Sequence, residues 1–102
     1  MSIRTSQRDN CLLVEGVQEL NASNSNGFRD LVQAALTDSL QNVEIDLSKA
    51  VFIDSCGLGA LISVHKTVCM RRGVVRLLRP GPEISQILEL TRMHRIFEVV
   101  KD

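Results

Sequence analysis

Ile53-Asp54-Ser55-Cys56-Gly57-Leu58-Gly59 is the stretch on which the reading of this chain turns. It stands at mid-chain, where an extended apolar run gives way to a helical pattern. Upstream, Val43 to Ile53 is rich in β-branched residues and is broken by the polar step Asp46-Leu47-Ser48-Lys49. Downstream, Leu58, Leu61, Ile62, His65, Val68 and Cys69 recur with a helical period and predict one apolar face of a helix over Ser55 to Met70. Asp54 and Ser55, at the change of period, are both residues that cap helix starts. Gly57 and Gly59 take side chains away from the first turn, which lets another backbone or a ligand come close. The sequence therefore predicts an accessible hydroxyl at the positive end of a helix.

The longer run Asp-Leu-Ser-Lys-Ala-Val-Phe-Ile-Asp-Ser-Cys-Gly-Leu-Gly-Ala-Leu, Asp46 to Leu61, resembles the central signature of the STAS domain, the anti-sigma factor antagonist family. The family pattern is Asp-Leu-Ser, a few residues, then Phe-Ile/Met-Asp-Ser-Ser/Thr-Gly-Leu-Gly. The serine after the aspartate is the family's phosphorylation site, and the resemblance carries that role to Ser55. Cys56 stands where the family has Ser or Thr. A continuous match of this length is far more specific than a lone glycine motif.

Working outward, Ile3 to Gln7 reads as a short strand, Arg8-Asp9-Asn10 as a turn and Cys11 to Val17 as a second strand. So short a connection predicts an antiparallel hairpin. Glu19-Leu20-Asn21 leads into a polar, small-residue loop, Ala22 to Gly27. Here the resemblance returns. Relatives carry Gly-Glu-Leu-Asp, with the first large apolar residue of a helix seven positions after the Asp. Asn21 takes the place of that Asp, which lies near the phosphorylation site in relatives, and Gln18 takes the place of the Gly. Asn21 is thus either part of the partner surface or an ordinary cap of the loop.

Phe28, Leu31, Val32, Ala35, Leu36 and Leu40 follow helical spacing and predict a helix over Phe28 to Leu40, with Asn42 as a stop. Val43, Ile45 and Leu47 alternate with Glu44 and Asp46, as a strand with one buried face. Val51 to Ile53 continues extended structure. After the central helix, Arg71-Arg72-Gly73 reads as a solvated stop. Val74 to Leu78, interrupted only by Arg76, reads as an interior parallel strand. Arg79-Pro80-Gly81-Pro82 is a turn, with Pro82 placed to open a helix that shows Ile84, Ile87, Leu88 and Thr91 on one side. Leu90 to Val99 resembles the family's C-terminal segment, with Arg92 in place of its usual glycine and Met93 of its leucine. The alternation predicts an α/β fold: a single STAS-like domain spanning 1–102, with a small mixed β-sheet, an N-terminal hairpin then parallel strands, flanked by amphipathic helices.

Composition narrows the function. The chain has 102 residues, long enough for one modest core, and its 44% hydrophobic and 24% charged content is that of a globular protein. Twelve basic residues balance twelve acidic ones, so no overall field favours nucleic acid. With no Trp, no Tyr and three Phe, a base-stacking surface is not indicated either. No apolar run reaches the length of a membrane span and no signal-peptide profile opens the chain, so a cytoplasmic protein is expected. Three cysteines, Cys11, Cys56 and Cys69, read as reduced thiols rather than a disulfide framework. His65, on the apolar face, reads as a half-buried core histidine, and His94 as exposed. No metal and no cofactor is expected.

Three functions compete. The resemblance implies an anti-sigma factor antagonist. Its unphosphorylated form binds an anti-sigma factor that is also a serine kinase and so releases a sigma factor. Phosphorylation of Ser55 ends the binding, and a serine phosphatase of the PP2C type resets it. The expected partner surface is Asn21, Asp54, Ser55, Cys56, Gly57, Leu58 and Gly59. The alternative is a STAS adaptor subunit of a transporter or another partner-switching complex, without a working phosphoserine. The third, an enzyme built on Cys56 or Ser55, lacks a base at fixed spacing, so no enzymatic activity is expected.

Overall fold

The computed structural model describes residues 3–101. Strands β1 (Arg4–Arg8) and β2 (Cys11–Glu15) form the expected antiparallel hairpin. Arg8 faces Cys11, so only Asp9 and Asn10 make the loop, and Asp9 takes the left-handed conformation, φ 56°. Gly16, at φ 84°, ends β2 two residues before the expected Val17. There follow β3 (Glu19–Leu20), α1 (Ser25–Ala35), β4 (Asn42–Asp46), β5 (Phe52–Ile53), α2 (Ser55–Met70), β6 (Val75–Leu78) and α3 (Pro82–Leu90). A short 3-10 turn, Met93–Arg95, leads into β7 (Glu98–Val100).

The main sheet runs β1-β2-β4-β6-β7, parallel throughout except for the β1–β2 hairpin, while β3 and β5 form a separate two-stranded parallel ribbon. From β2 onward the chain always advances in one direction across the sheet. Right-handed crossovers then place α1, α2 and α3 on the same face. Side-chain burial agrees: Leu12, Val14, Val43, Ile45, Val75 and Leu77 point into one core with Phe28, Val32, Leu61, Val64, Val68, Ile84 and Leu88. The alternate residues of the same strands face outward. There Arg76 lies 3.7 Å from Glu44 and 3.1 Å from Glu98, a row of opposite charges across β4, β6 and β7. Arg76 was legible only as an interruption of an interior strand; it marks a sheet covered on one side.

Both ends of α1 and the buried face of α2 differ from expectation for physical reasons. Helix α1 starts at Ser25, before Phe28, because the Asn21 carbonyl receives the Asn24 and Ser25 N–H groups and bends the chain into a turn early. It ends at Ala35 rather than Leu40: Leu36 and Leu40 are buried but belong to the turn that follows. Leu31, counted on the apolar face, is exposed. In α2 the buried positions are Gly57, Ala60, Leu61, Val64 and Val68, a face rotated away from the expected one, and Cys69 is exposed. Apolar residues surround much of this helix, so period alone does not choose a side. The small residues Gly57 and Ala60 do, because they allow the closest approach.

The end of α2 is not a solvated stop. The Arg71 guanidinium donates to the carbonyls of Thr37 (2.6 Å), Leu40 (2.8 Å) and Leu36 (3.1 Å) and closes the unwound end of α1. Arg72 N–H bonds Cys69 O and Gly73 N–H bonds Val68 O, the paired bonds of a Schellman stop. The left-handed position in it is Arg72, φ 60°, not the glycine. Gly73 is required for another reason: a Cβ there would collide with the Gln41 carbonyl. Arg92 takes the same left-handed position after α3, with φ 60° and its N–H on Glu89 O. This is the position where the family pattern has glycine.

An arginine in that conformation carries steric strain that glycine does not, and the Arg92 side chain makes no hydrogen bond among the described residues. Arg92→Gly is therefore expected to raise stability by about 0.5–1 kcal/mol in urea unfolding. A loss of stability would show that the arginine side chain is needed there.

Candidate functional site

The ribbon of β3 and β5 positions the site. Glu19 faces Phe52 and Leu20 faces Ile53, and the Asp54 N–H continues the ladder onto Leu20 O at 3.0 Å. Both strands then leave the ribbon at the same end, β3 through Asn21 and β5 through Asp54 and Ser55. Two segments more than thirty residues apart in sequence thus emerge side by side.

Asp54 is extended (φ −99°, ψ −173°), and its carboxylate accepts the Gly57 N–H at 3.0 Å. It is the N-cap of α2. Ser55 is consequently the first residue inside the helix rather than a second cap. It is exposed, and its hydroxyl has no hydrogen-bond partner among the described residues. Cys56 is exposed beside it, and the N–H groups of this first turn have no carbonyl one turn back to bond. Leu58 turns inward and packs against the core.

The two glycines of the motif do different things. Gly57 is buried, and a Cβ there would come within 2.6 Å of the Leu20 Cβ, 2.7 Å of the Leu20 carbonyl oxygen and 3.0 Å of an Ile53 methyl. It lets the first turn of α2 rest on the ribbon. Gly59 is exposed, with nothing within 4 Å of where a Cβ would stand. Of the two glycines expected to let another backbone or a ligand come close, Gly57 is in contact with the chain's own backbone, and Gly59 leaves bare backbone one turn from Ser55.

Asn21 is half-buried and its side chain is committed locally. Its Oδ1 accepts from the Ser23 N–H (2.9 Å) and hydroxyl (2.7 Å), while its own N–H donates to Asn24 Oδ1 at 2.9 Å. Asn24 Nδ2 in turn bonds Glu19 O at 2.9 Å and ties the turn back to β3. Such local bonds are what Asn and Ser supply in turns.

Two residues the sequence reading did not single out complete the surface: Val51 and Phe52, 65% and 47% exposed. In so short a strand, alternation cannot say which apolar residue faces out; pairing with β3 buries Ile53 and turns Phe52 outward. Asp46, at the start of the signature, lies 3.0 Å from Arg79. Burial pushes its carboxyl up, but the Ser48 amide and hydroxyl, then Arg79, outweigh this and hold it below the ordinary carboxylate range. Neither Ser55 nor Cys56 has a histidine within hydrogen-bond reach among the described residues; His65 lies far along α2 and is engaged with Cys69. No helix among the described residues is long and apolar enough to cross a membrane.

A one-sided α/β layer with a paired ribbon that presents a capped helix start defines a class, and residues 2–102 match the STAS domain throughout. The chain belongs to the STAS domain family. A Thermotoga maritima protein provisionally named an anti-sigma factor antagonist is 26% identical over 92 residues, covering 89% of this chain and 81% of the relative. The crystal structure of a Thermotoga maritima protein of the same provisional name superposes with a TM-score of 0.88 at 22% identity, over 98% of this chain and 86% of the other. The phosphorylated form of the Bacillus cell fate determinant SpoIIAA superposes with a TM-score of 0.74 at 14% identity, over 97% and 91%.

Gly57→Ala and Gly59→Ala separate the two glycine roles. The first forces Leu20 and the helix apart and is expected to cost about 1–3 kcal/mol. The second meets open space and, with the entropy of a helical glycine removed, is expected to be neutral or to add about 0.5–1 kcal/mol. Urea unfolding of the two variants checks the ordering, and equal losses would contradict it.

Proposed function

We propose that this protein is an anti-sigma factor antagonist controlled by phosphorylation of Ser55. The single observation that carries the reading is the state of that serine: exposed at the start of α2, with the capping done by Asp54, so that its hydroxyl is free. Membership of the STAS family and the names of the relatives support it. In this reading the unphosphorylated chain docks on an anti-sigma factor that is also a serine kinase, and a sigma factor is released. A PP2C-like phosphatase restores the docking form.

The chemistry follows from the local electrostatics. A phosphate on Ser55 would sit at a helix N-terminus, where amide N–H groups and the dipole favour negative charge, so the domain keeps its fold. The docking surface around it, Cys56, the bare Gly59 backbone, Val51, Phe52 and the Asn21 turn, gains up to two negative charges at the same time. A partner that desolvates this surface would bury that charge unpaired and lose affinity. Asp54, Gly57 and Leu58 support the surface from beneath, as cap, contact and core residue.

Ser55→Ala removes a hydroxyl that caps nothing, so its stability is expected to stay within about 0.5 kcal/mol of the native protein. It is expected to bind the host's anti-sigma kinase and to take no phosphate from ATP. Ser55→Asp is expected to fold and to bind at least about tenfold more weakly, the effect of roughly 1.4 kcal/mol. Calorimetric titration with circular dichroism as the folding control measures both. Equal affinities for two folded variants would leave Ser55 without a switching role.

A further inference from the structure

Cys69 and His65 form a cluster outside that surface. They lie one turn apart on α2, and the Cys69 sulfur is 3.3 Å from His65 Nε2 and 3.8 Å from Nδ1. The half-buried imidazole is held edge-on against Phe97, with ring centroids 5.3 Å apart, and Phe97 is itself in the core. The ring therefore cannot swing freely away from the sulfur, while Cys69 is exposed to solvent.

A cation stands one turn before the thiol on α2. Lys66 precedes Cys69 by three residues and Arg72 follows it by three, and both are exposed. On α2 the residues three and four before Cys69, Lys66 and His65, are its neighbours, while Arg72 lies beyond the helix end in the left-handed turn. No carboxylate stands among them. Neither Lys66 nor Arg72 enters an ion pair among the described residues. The helix end would oppose negative charge on the sulfur, but the Cys69 and Val68 carbonyls are already bonded to Arg72 and Gly73.

A nucleophile in reach of a base, the base oriented by a third group, and a cation one turn away are the marks of a reactive thiol. From them we infer that Cys69 is a site of thiol–disulfide exchange with small anionic disulfides. In the tautomer protonated on Nδ1, His65 Nε2 takes the Cys69 proton as the sulfur attacks one sulfur of the R–S–S–R reactant. The new Cys69–S bond forms, the reactant's S–S bond breaks, and the departing thiolate takes the proton from the imidazolium. Cys69 is oxidised and the leaving sulfur is reduced. Lys66 attracts the carboxylates of the reactant. The site lies roughly 20 Å along the helix from Ser55 at 1.5 Å per residue, so the modification is separate from the proposed switch.

The reduced protein is incubated with glutathione disulfide, and adduct formation is followed by peptide mass mapping. Cys11 is an internal reference, since burial, then the Glu44 carboxylate, push its thiol up. The adduct is expected on Cys69 well before Cys11. His65→Gln is expected to slow Cys69 by at least about tenfold, the low side of what a positioned base supplies, with the Cys56 rate unchanged. Should that variant fail to fold, the native protein gives an independent readout. Raised salt is expected to slow reaction of Cys69 with glutathione disulfide and to leave its reaction with uncharged hydroxyethyl disulfide unaffected. A Cys69 rate no faster than Cys11, or one insensitive to both His65→Gln and salt, would overturn the inference.

Discussion

The contact of Gly57 with Leu20 is the constraint on which the rest of the site depends. The first turn of α2 lies so close to the β3–β5 ribbon that a methyl group would strike both the side chain and the carbonyl of Leu20. That contact fixes the rotation of α2 about its axis. With the rotation fixed, Ala60, Leu61, Val64 and Val68 go into the core, and Ser55, Cys56 and Gly59 face outward. The same contact keeps β3 alongside β5, which brings the Asn21 turn next to the helix start. A glycine here acts through the space it leaves, and conformational freedom has no part in it, since Gly57 has ordinary helical geometry.

Much of this was legible in the sequence, and the limits have physical causes. The hairpin, the parallel strands and the span of α2 follow from turn chemistry, alternation and capping, all of which are local. The face of α2 was not legible, because its apolar residues do not favour one side, and the partner that chooses the side, Leu20, is far away in the chain. The identity of the cap was ambiguous for a similar reason. Asp54 and Ser55 are equally suited to cap, and the extra ladder bond from Asp54 to Leu20 decides which one stands outside the helix. Ser55 stands inside the helix, its hydroxyl free of the capping bond that Asp54 makes.

The arginines were the least legible residues. Arg71 and Arg72 read as one solvated pair, yet the first is anchored to three carbonyls and the second bends the chain through a left-handed turn. Arg76 read as a break in an apolar strand and is the centre of a charged row. For Arg71 and Arg76 the side chain's partners lie more than twenty residues away in sequence, beyond the reach of any local pattern. Cys69 and His65 show the opposite. Their spacing is local and visible, but it was masked by the assignment of both to a buried face, and only the rotation of α2 brings the thiol into solvent.

The order of the main sheet bears on how the chain reaches this structure. Each strand of that sheet lies beside the one that precedes it in the sheet, so β1, β2, β4, β6 and β7 can be added in the order in which a ribosome delivers them. No strand must be inserted later between two that are already paired. Each new edge is open only until the next strand arrives, with an intervening helix ready to cover the apolar face. Vectorial growth of this kind limits the time for which unpaired strand edges and bare core are exposed, the condition under which α/β chains aggregate.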